Sequence, residues 1–112
     1  MLTSILNSEH YTWGNNCDGW HLLKSGNLSV IQEKMPPGTS EKTHFHTKSQ
    51  QIFYILKGTA TFTLEESNFE VKANESFHIK PGTTHSIANN CLIDLEFLVI
   101  SEPASHGDRQ NI

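Results

Sequence analysis

The stretch GTSEKTHFHTKSQQIFYILKG, residues 38–58, decides how this chain is read. It leaves a Pro36-Pro37-Gly38 turn and ends at Lys57-Gly58, and its second half carries Ile52, Phe53, Tyr54 and Ile55 in a row. His44 and His46 are separated by one residue. On a strand, residues i and i+2 face the same side about 6.6 Å apart, so two imidazoles can converge on one ion while Phe45 points away. The chain then turns through Thr47 to Gln50, and Gln51 opens the next strand with its side chain available to the same interior. His85 lies far along the chain, just after the Pro81-Gly82 turn, at the start of another strand. Two ligands on one strand and a third from a distant strand are how a barrel interior builds a facial triad.

Outward from this stretch the punctuation is that of an all-β protein. Short apolar runs recur between Gly, Pro, Asn and Ser clusters, and no long stretch carries a helical stripe. The pattern predicts strands over residues 20–24, 28–35, 42–46, 51–56, 59–65, 69–72, 76–79, 85–89 and 92–101. Such short, regular spacing suggests a sandwich or barrel rather than a βαβ fold.

A second stretch, NESFHIKPGTTHSIAN at residues 74–89, completes the reading. Residues 38–58 resemble the first cupin motif: glycine, five residues, HxH, three or four residues, an acid, six residues, glycine. Residues 74–89 resemble the second: glycine, five residues, PxG, two residues, histidine, three residues, asparagine. Fifteen residues lie between Gly58 and Asn74, a spacing that suits compact members of the family. The resemblance is to a small single-domain cupin of the conserved-barrel, RmlC-like kind. It implies a double-stranded β-helix (jelly-roll) barrel with one divalent metal ion (iron, manganese, nickel or zinc) on His44, His46, His85 and the residue at the acidic position. Three positions depart from the pattern. Gln51 replaces the acid, Asn74 replaces a glycine but tolerates left-handed geometry, and Lys80 replaces the first proline of PxG.

The Gln51 substitution has chemical consequences. Three imidazoles and an amide leave the full charge on a divalent ion, so affinity is expected to be weaker than with glutamate and Lewis acidity stronger. Two readings of Gln51 stand: direct ligation, or a hydrogen bond to a ligand while water fills the fourth place. Met35, Phe53, Ile55, Phe62, Phe77 and Phe97 are candidates for a pocket lining, with ordinary core packing as the alternative. Glu33 and Glu41 are the carboxylates nearest by chain position, and the sequence gives neither an evident role as a base. Asn89 is expected to brace a turn, His78 to face outward, and His10, His21 and His106 to lie on the surface.

At 112 residues the chain is expected to be one domain, with a barrel over residues 20–101. Residues 1–19 are expected to pack on the barrel or on a dimer partner, and residues 102–112 to form a surface tail. The formal charge is −4, with 8 Lys and Arg scattered singly against 12 Asp and Glu. No basic patch exists to displace phosphate counterions, which argues against a nucleic-acid partner. No apolar run approaches the roughly 20 residues that span a bilayer, so no membrane partner is expected. The start of the chain lacks the basic and apolar regions of a secretory signal, and Cys17 and Cys91 read as free thiols, which together point to the cytoplasm. Both faces of residues 51–56 are largely apolar: Gln51, Phe53 and Ile55 on one, Ile52, Tyr54 and Leu56 on the other. A homodimer covering the second face is the simplest account, with residues 1–19 folding over it as the alternative.

Two functions remain open at this stage. One is a metalloenzyme of dioxygenase, decarboxylase or isomerase type acting on a small, anionic organic molecule. The other is a metal- or ligand-binding module without turnover. Iron, manganese or nickel would favour redox or decarboxylase chemistry, and zinc would favour isomerisation or binding alone.

Overall fold

Each apolar run between turn residues forms a strand, and residue parity within the strand sets which side chains meet in the interior. The computed structural model describes residues 1–112 as eleven strands with no helix. They are β1 (Glu9–Trp13), β2 (Cys17–Lys24), β3 (Ser29–Met35), β4 (His44–His46), β5 (Gln50–Lys57), β6 (Thr59–Leu64), β7 (Ser67–Lys72), β8 (Ser76–Ile79), β9 (His85–Ala88), β10 (Leu95–Glu102) and β11 (Arg109–Asn111). A six-stranded sheet runs β1-β2-β3-β10-β5-β8 and a five-stranded sheet runs β11-β4-β9-β6-β7. All pairings are antiparallel, and from β3 onward the chain mostly crosses from one sheet to the other, as in a jelly roll. No helix is long and apolar enough to cross a membrane.

The interior is a single cluster that includes Met35, Phe53, Ile55, Phe62, Ile87, Leu95, Phe97 and Val99. Two turns of the motifs are fixed by backbone geometry. Gly58 has φ 85°, and a Cβ there would stand 2.9 Å from the Asp94 carbonyl oxygen. Asn74 has φ 70°, so asparagine does serve in the left-handed position where the family pattern has glycine. Asn89 braces a turn: its Nδ2 donates to the Met35 and Ile93 carbonyls at 2.8 and 2.9 Å, and its Oδ1 accepts from the Cys91 N–H.

Both chain ends are built into the sheets. The segment before residue 20 is not a cover but a hairpin strand and the start of β2, turned through Gly14 (φ 52°) and Asn16 (φ 64°). It extends the six-stranded sheet beyond β3, and Ile52, Tyr54 and Leu56 stay 37–41% exposed, so residues 1–19 do not cover them. The C-terminal segment is not merely a surface tail, because β11 pairs with β4. Without that pairing, β4 would be a sheet edge with unsatisfied backbone groups beside two buried histidines.

Candidate metal centre

Three histidines converge because three strand positions face one space. His44 and His46 share the inner face of β4, and His85 is the direct cross-strand partner of His44 on β9. Their ring centroids lie 4.4 Å apart for His44 and His85, 5.0 Å for His44 and His46, and 5.8 Å for His46 and His85. Two of the rings are held by the carbonyl two residues earlier. His44 Nδ1 donates to the Lys42 carbonyl and His85 Nδ1 to the Thr83 carbonyl, each at 2.8 Å. Both tautomers therefore leave Nε2 with a free lone pair.

One nitrogen from each ring can be chosen so that all three lie within 4.8 Å of one another, a spacing that could hold a metal ion. His85 Nε2 and His46 Nδ1 are buried and have no hydrogen-bond partner. Buried polar atoms without partners are rare unless something absent from the protein satisfies them. Burial holds the proton affinity of His44 down to about 3 and that of His46 down to about 4, and it lowers His85 as well. The three rings are neutral near pH 7, the state in which imidazole binds a metal.

Gln51 is buried, lines the same cavity and pairs across the sheet with Ser101. Its Nε2 donates to Ser101 Oγ at 3.0 Å, and its Oε1 is buried without a partner. The amide is thus anchored by its nitrogen and presents an unused oxygen, the donor that a hard or borderline cation would take. This donor set fits a divalent ion.

The C-terminal segment fastens the strand that carries the histidines. One Asp108 carboxylate accepts from the backbone N–H groups of Thr47, Lys48 and Ser49 at 2.9 to 3.2 Å. These hydrogen bonds hold its carboxyl below the usual aspartate range. Ser49 Oγ also donates to the Pro103 carbonyl at 2.6 Å. The turn between His46 and Gln51 is therefore shaped by residues far along the chain.

A cavity of about 320 Å³ opens between the histidines and a second wall. Tyr11, Glu33, Glu41, His106 and Arg109 line it together with His44, His46, Gln51 and Phe53. Of the six apolar residues expected to line a pocket, Phe53 does so. Met35, Ile55, Phe62 and Phe97 are wholly buried in the core, and Phe77 is half-buried and stacked on Phe62 at 4.6 Å. Parity placed all six inside, but only inner positions near the open end reach the cavity. His78 is exposed beside Gln50, and His10 is exposed beside Asp18. His106 is exposed, as expected, at the cavity rim, and His21 is half-buried with an unpartnered Nδ1.

Glu33 and Glu41, neither of which has an evident role from sequence, share this second wall. Burial pushes the Glu33 carboxyl up to about 7, against the relief of a 2.8 Å hydrogen bond from Tyr11 Oη. Burial, and then the neighbouring Glu33, push Glu41 up to about 8, while Arg109 Nη1 at 4.0 Å from its Oε2 works the other way. Burial and Glu33 raise the Tyr11 phenol, so it keeps its proton. The signal that could have found Tyr11 was the Gly14-Asn-Asn16 turn, which marks a hairpin and gives Tyr11 a facing strand.

Comparison with known proteins agrees with this fold. Residues 31–101 match the family model of the cupin domain. The oxalate-binding protein of Thermotoga maritima is 37% identical over 67 residues, 60% of this chain and 55% of that protein, so the match spans about half the length of that relative. A crystal structure described as a predicted oxalate decarboxylase, also from Thermotoga maritima, superposes with a TM-score of 0.82 at 27% identity, covering 93% of this chain and 100% of the other. An RmlC-like cupin from Shewanella frigidimarina gives a TM-score of 0.81 at 17% identity, over 91% of this chain and 89% of that one, a likeness of fold.

Proposed function

The chain belongs to the cupin domain family, and on that premise we propose that it binds one divalent metal ion and, through it, a small organic anion. The observation that carries this reading is the convergence of three neutral, buried imidazoles whose ligand atoms lie within 4.8 Å of one another. His44, His46 and His85 hold the ion, and Gln51 Oε1 is the fourth donor. When bound, the ion supplies Lewis acidity to a carboxylate or carbonyl oxygen, and the absence of a ligand carboxylate leaves that acidity undiminished. Iron, manganese, nickel and zinc all suit this donor set.

The chain's own residues then define the ligand. Arg109 offers a fixed cation on the second wall. Glu41 takes up a proton more readily than an ordinary carboxyl, so near neutral pH it can donate a hydrogen bond to an anion rather than repel it. A cavity of about 320 Å³ suits a molecule of a few carbons, and the relative named for oxalate binding makes oxalate the first ligand to test. That same name supports a second reading, in which the protein binds its ligand without turnover. The reading with turnover, of dioxygenase, decarboxylase or isomerase type, draws on the ionisable second wall.

We further propose a homodimer through the outer face of the six-stranded sheet. Ile52, Tyr54 and Leu56 are exposed there, beside half-buried Leu98 and Ile100 on the adjoining strand. Sedimentation should give twice the chain mass, and Tyr54→Asp should return it to the monomer. The two unpaired thiols agree with a reducing compartment such as the cytoplasm.

Elemental analysis of protein purified without a histidine tag tests the central claim. A near-stoichiometric transition metal, lost in His46→Ala, is the expected result. No metal after anaerobic reconstitution would overturn it.

A further inference from the structure

The second wall carries a device that metal binding does not use. Tyr11, Gly19 and Glu33 are successive cross-strand partners: Tyr11 faces Gly19 between β1 and β2, and Gly19 faces Glu33 between β2 and β3. Neighbouring strands lie about 4.8 Å apart, so the phenol must reach across a whole strand to meet the carboxyl. Glycine makes the crossing possible, because a Cβ at Gly19 would run into the Tyr11 ring at Cε1, Cζ and Oη. Through that gap Tyr11 Oη donates to Glu33 Oε2 at 2.8 Å. Glu33 Oε1 takes no hydrogen bond from the protein, and Glu33 lines the same cavity as His44, His46 and Gln51. A carboxyl with one oxygen fixed and the other free, facing a ligand site, has the form of a general base.

We propose that Glu33 is the proton acceptor of this cavity and Tyr11 its positioning residue, and that the substrate is a small carbonyl compound with an acidic C–H bond beside the carbonyl. This rests on the metal-binding reading, since the imidazole cluster is what would hold the carbonyl end. In the step, the C–H bond breaks, its proton forms an O–H bond to Glu33 Oε1, and the electron pair delocalises onto the substrate's own carbonyl oxygen. Return of the proton to a neighbouring atom completes a tautomerisation, with no redox change and no co-reactant. Glu41 is less suited to the role, because no hydrogen bond positions its carboxyl and the Arg109 guanidinium stands 4.0 Å from its Oε2. The charged or titratable groups facing Glu33 are Tyr11 from β1, Cys17 from β2, Glu41 from the segment before β4, and Arg109 from β11.

The test is exchange of carbon-bound hydrogen with D₂O, followed by proton NMR on zinc-loaded protein with pyruvate and with dihydroxyacetone as probes. Zinc content is measured first for every variant. Wild type should exchange at least one probe faster than free zinc does. Glu33→Gln should lose about 100-fold or more of that rate at unchanged zinc content, the usual worth of a general base. Tyr11→Phe and Gly19→Ala should each cost about tenfold, a hydrogen bond to a charged group, and should move the pH midpoint of exchange upward because the bond to Glu33 is lost. A readout independent of turnover is the infrared carbonyl band of a protonated carboxylic acid in metal-free protein near neutral pH, which Glu33→Gln should diminish. Exchange by Glu33→Gln at the wild-type rate would overturn the proposal, as would no exchange of either probe by zinc-loaded wild type. A wild type that takes up no zinc or other transition metal fails the metal reading, and this proposal with it, and the metal analysis tells that failure apart from the others.

Discussion

The cavity has two walls of opposite construction. The histidine wall comes from β4 and β5, backed by His85 of β9; its histidines are neutral and buried, and His44 and His85 are fastened by carbonyls two residues away in sequence. The second wall comes from β1, β3, the segment before β4, and β11, and its groups are ionisable and meet only in the folded chain. Local tethers make the first wall rigid in a way that can be read from residue spacing. The second depends on cross-strand register and on both chain ends, so its chemistry exists only once the barrel has closed. If the two walls divide the labour, damage to the first should abolish metal binding and damage to the second should leave it intact.

The largest expected effect breaks the first wall. His85→Ala removes a ligand and leaves His44 without its cross-strand ring. Losing even an outer hydrogen-bond partner of a metal ligand costs roughly 10 to 100-fold in affinity, so losing the ligand should cost about 100-fold or more. Competition against a chromophoric chelator measures this. Glu33→Gln in the same assay should stay within about threefold of wild type, because it changes neither a ligand nor its tether. Equal losses in both variants would mean that the walls are one unit.

Gln51→Glu sharpens the comparison from the other side. The substitution keeps the geometry and adds a charge to the donor set, so metal affinity should rise by about tenfold. Ser101, which now accepts from Gln51 Nε2, can instead donate its hydroxyl to the new carboxylate. An affinity that is unchanged or weaker would place Gln51 outside the ligand set.

The same division explains what the sequence disclosed. His44, His46 and His85 were legible because a strand's two-residue repeat and the spacing of two motifs fix them without knowledge of tertiary structure. The fold followed from the same spacing, together with the turn residues. Glu33 and Glu41 were visible as carboxylates but not as partners. Their juxtaposition depends on β3 standing beside β10 while residues 36–43 cross to the other sheet. Tyr11 was hidden because its contact passes over Gly19, and a glycine's emptiness declares itself only when the neighbouring strand is known. Arg109 and Asp108 were hidden because a polar segment containing Pro103 and Gly107 looks like a loose end until it is seen pairing with β4.

Asp108 links the two walls, and a smaller effect is expected from it. Asp108→Asn retains one acceptor oxygen but loses the charge that three backbone N–H groups now share. Amide exchange at Thr47, Lys48 and Ser49 should quicken, and metal affinity should fall severalfold at most, because the histidine tethers remain. Unchanged exchange at those three amides would show that β11 pairing alone holds the turn.

The smallest effect concerns stability and isolates the second wall. Glu33 binds its proton more tightly in the folded chain, where its pKa is about 7, than in an unfolded one, where it is near 4.5. Between those values the native state carries more protons than the unfolded state, so stability falls as pH rises. The contribution is fully present below the unfolded pKa and lost as pH climbs through the folded one. Glu33→Gln has no proton to lose, so its stability should not show this decline. Urea unfolding of the metal-free proteins at about pH 5 and about pH 8 should therefore favour the variant at the higher pH by roughly 1 kcal/mol, after allowance for relaxation around the carboxyl. A pH-independent difference between the two proteins would mean that Glu33 ionises as an ordinary carboxylate, and the second wall would then owe nothing to burial.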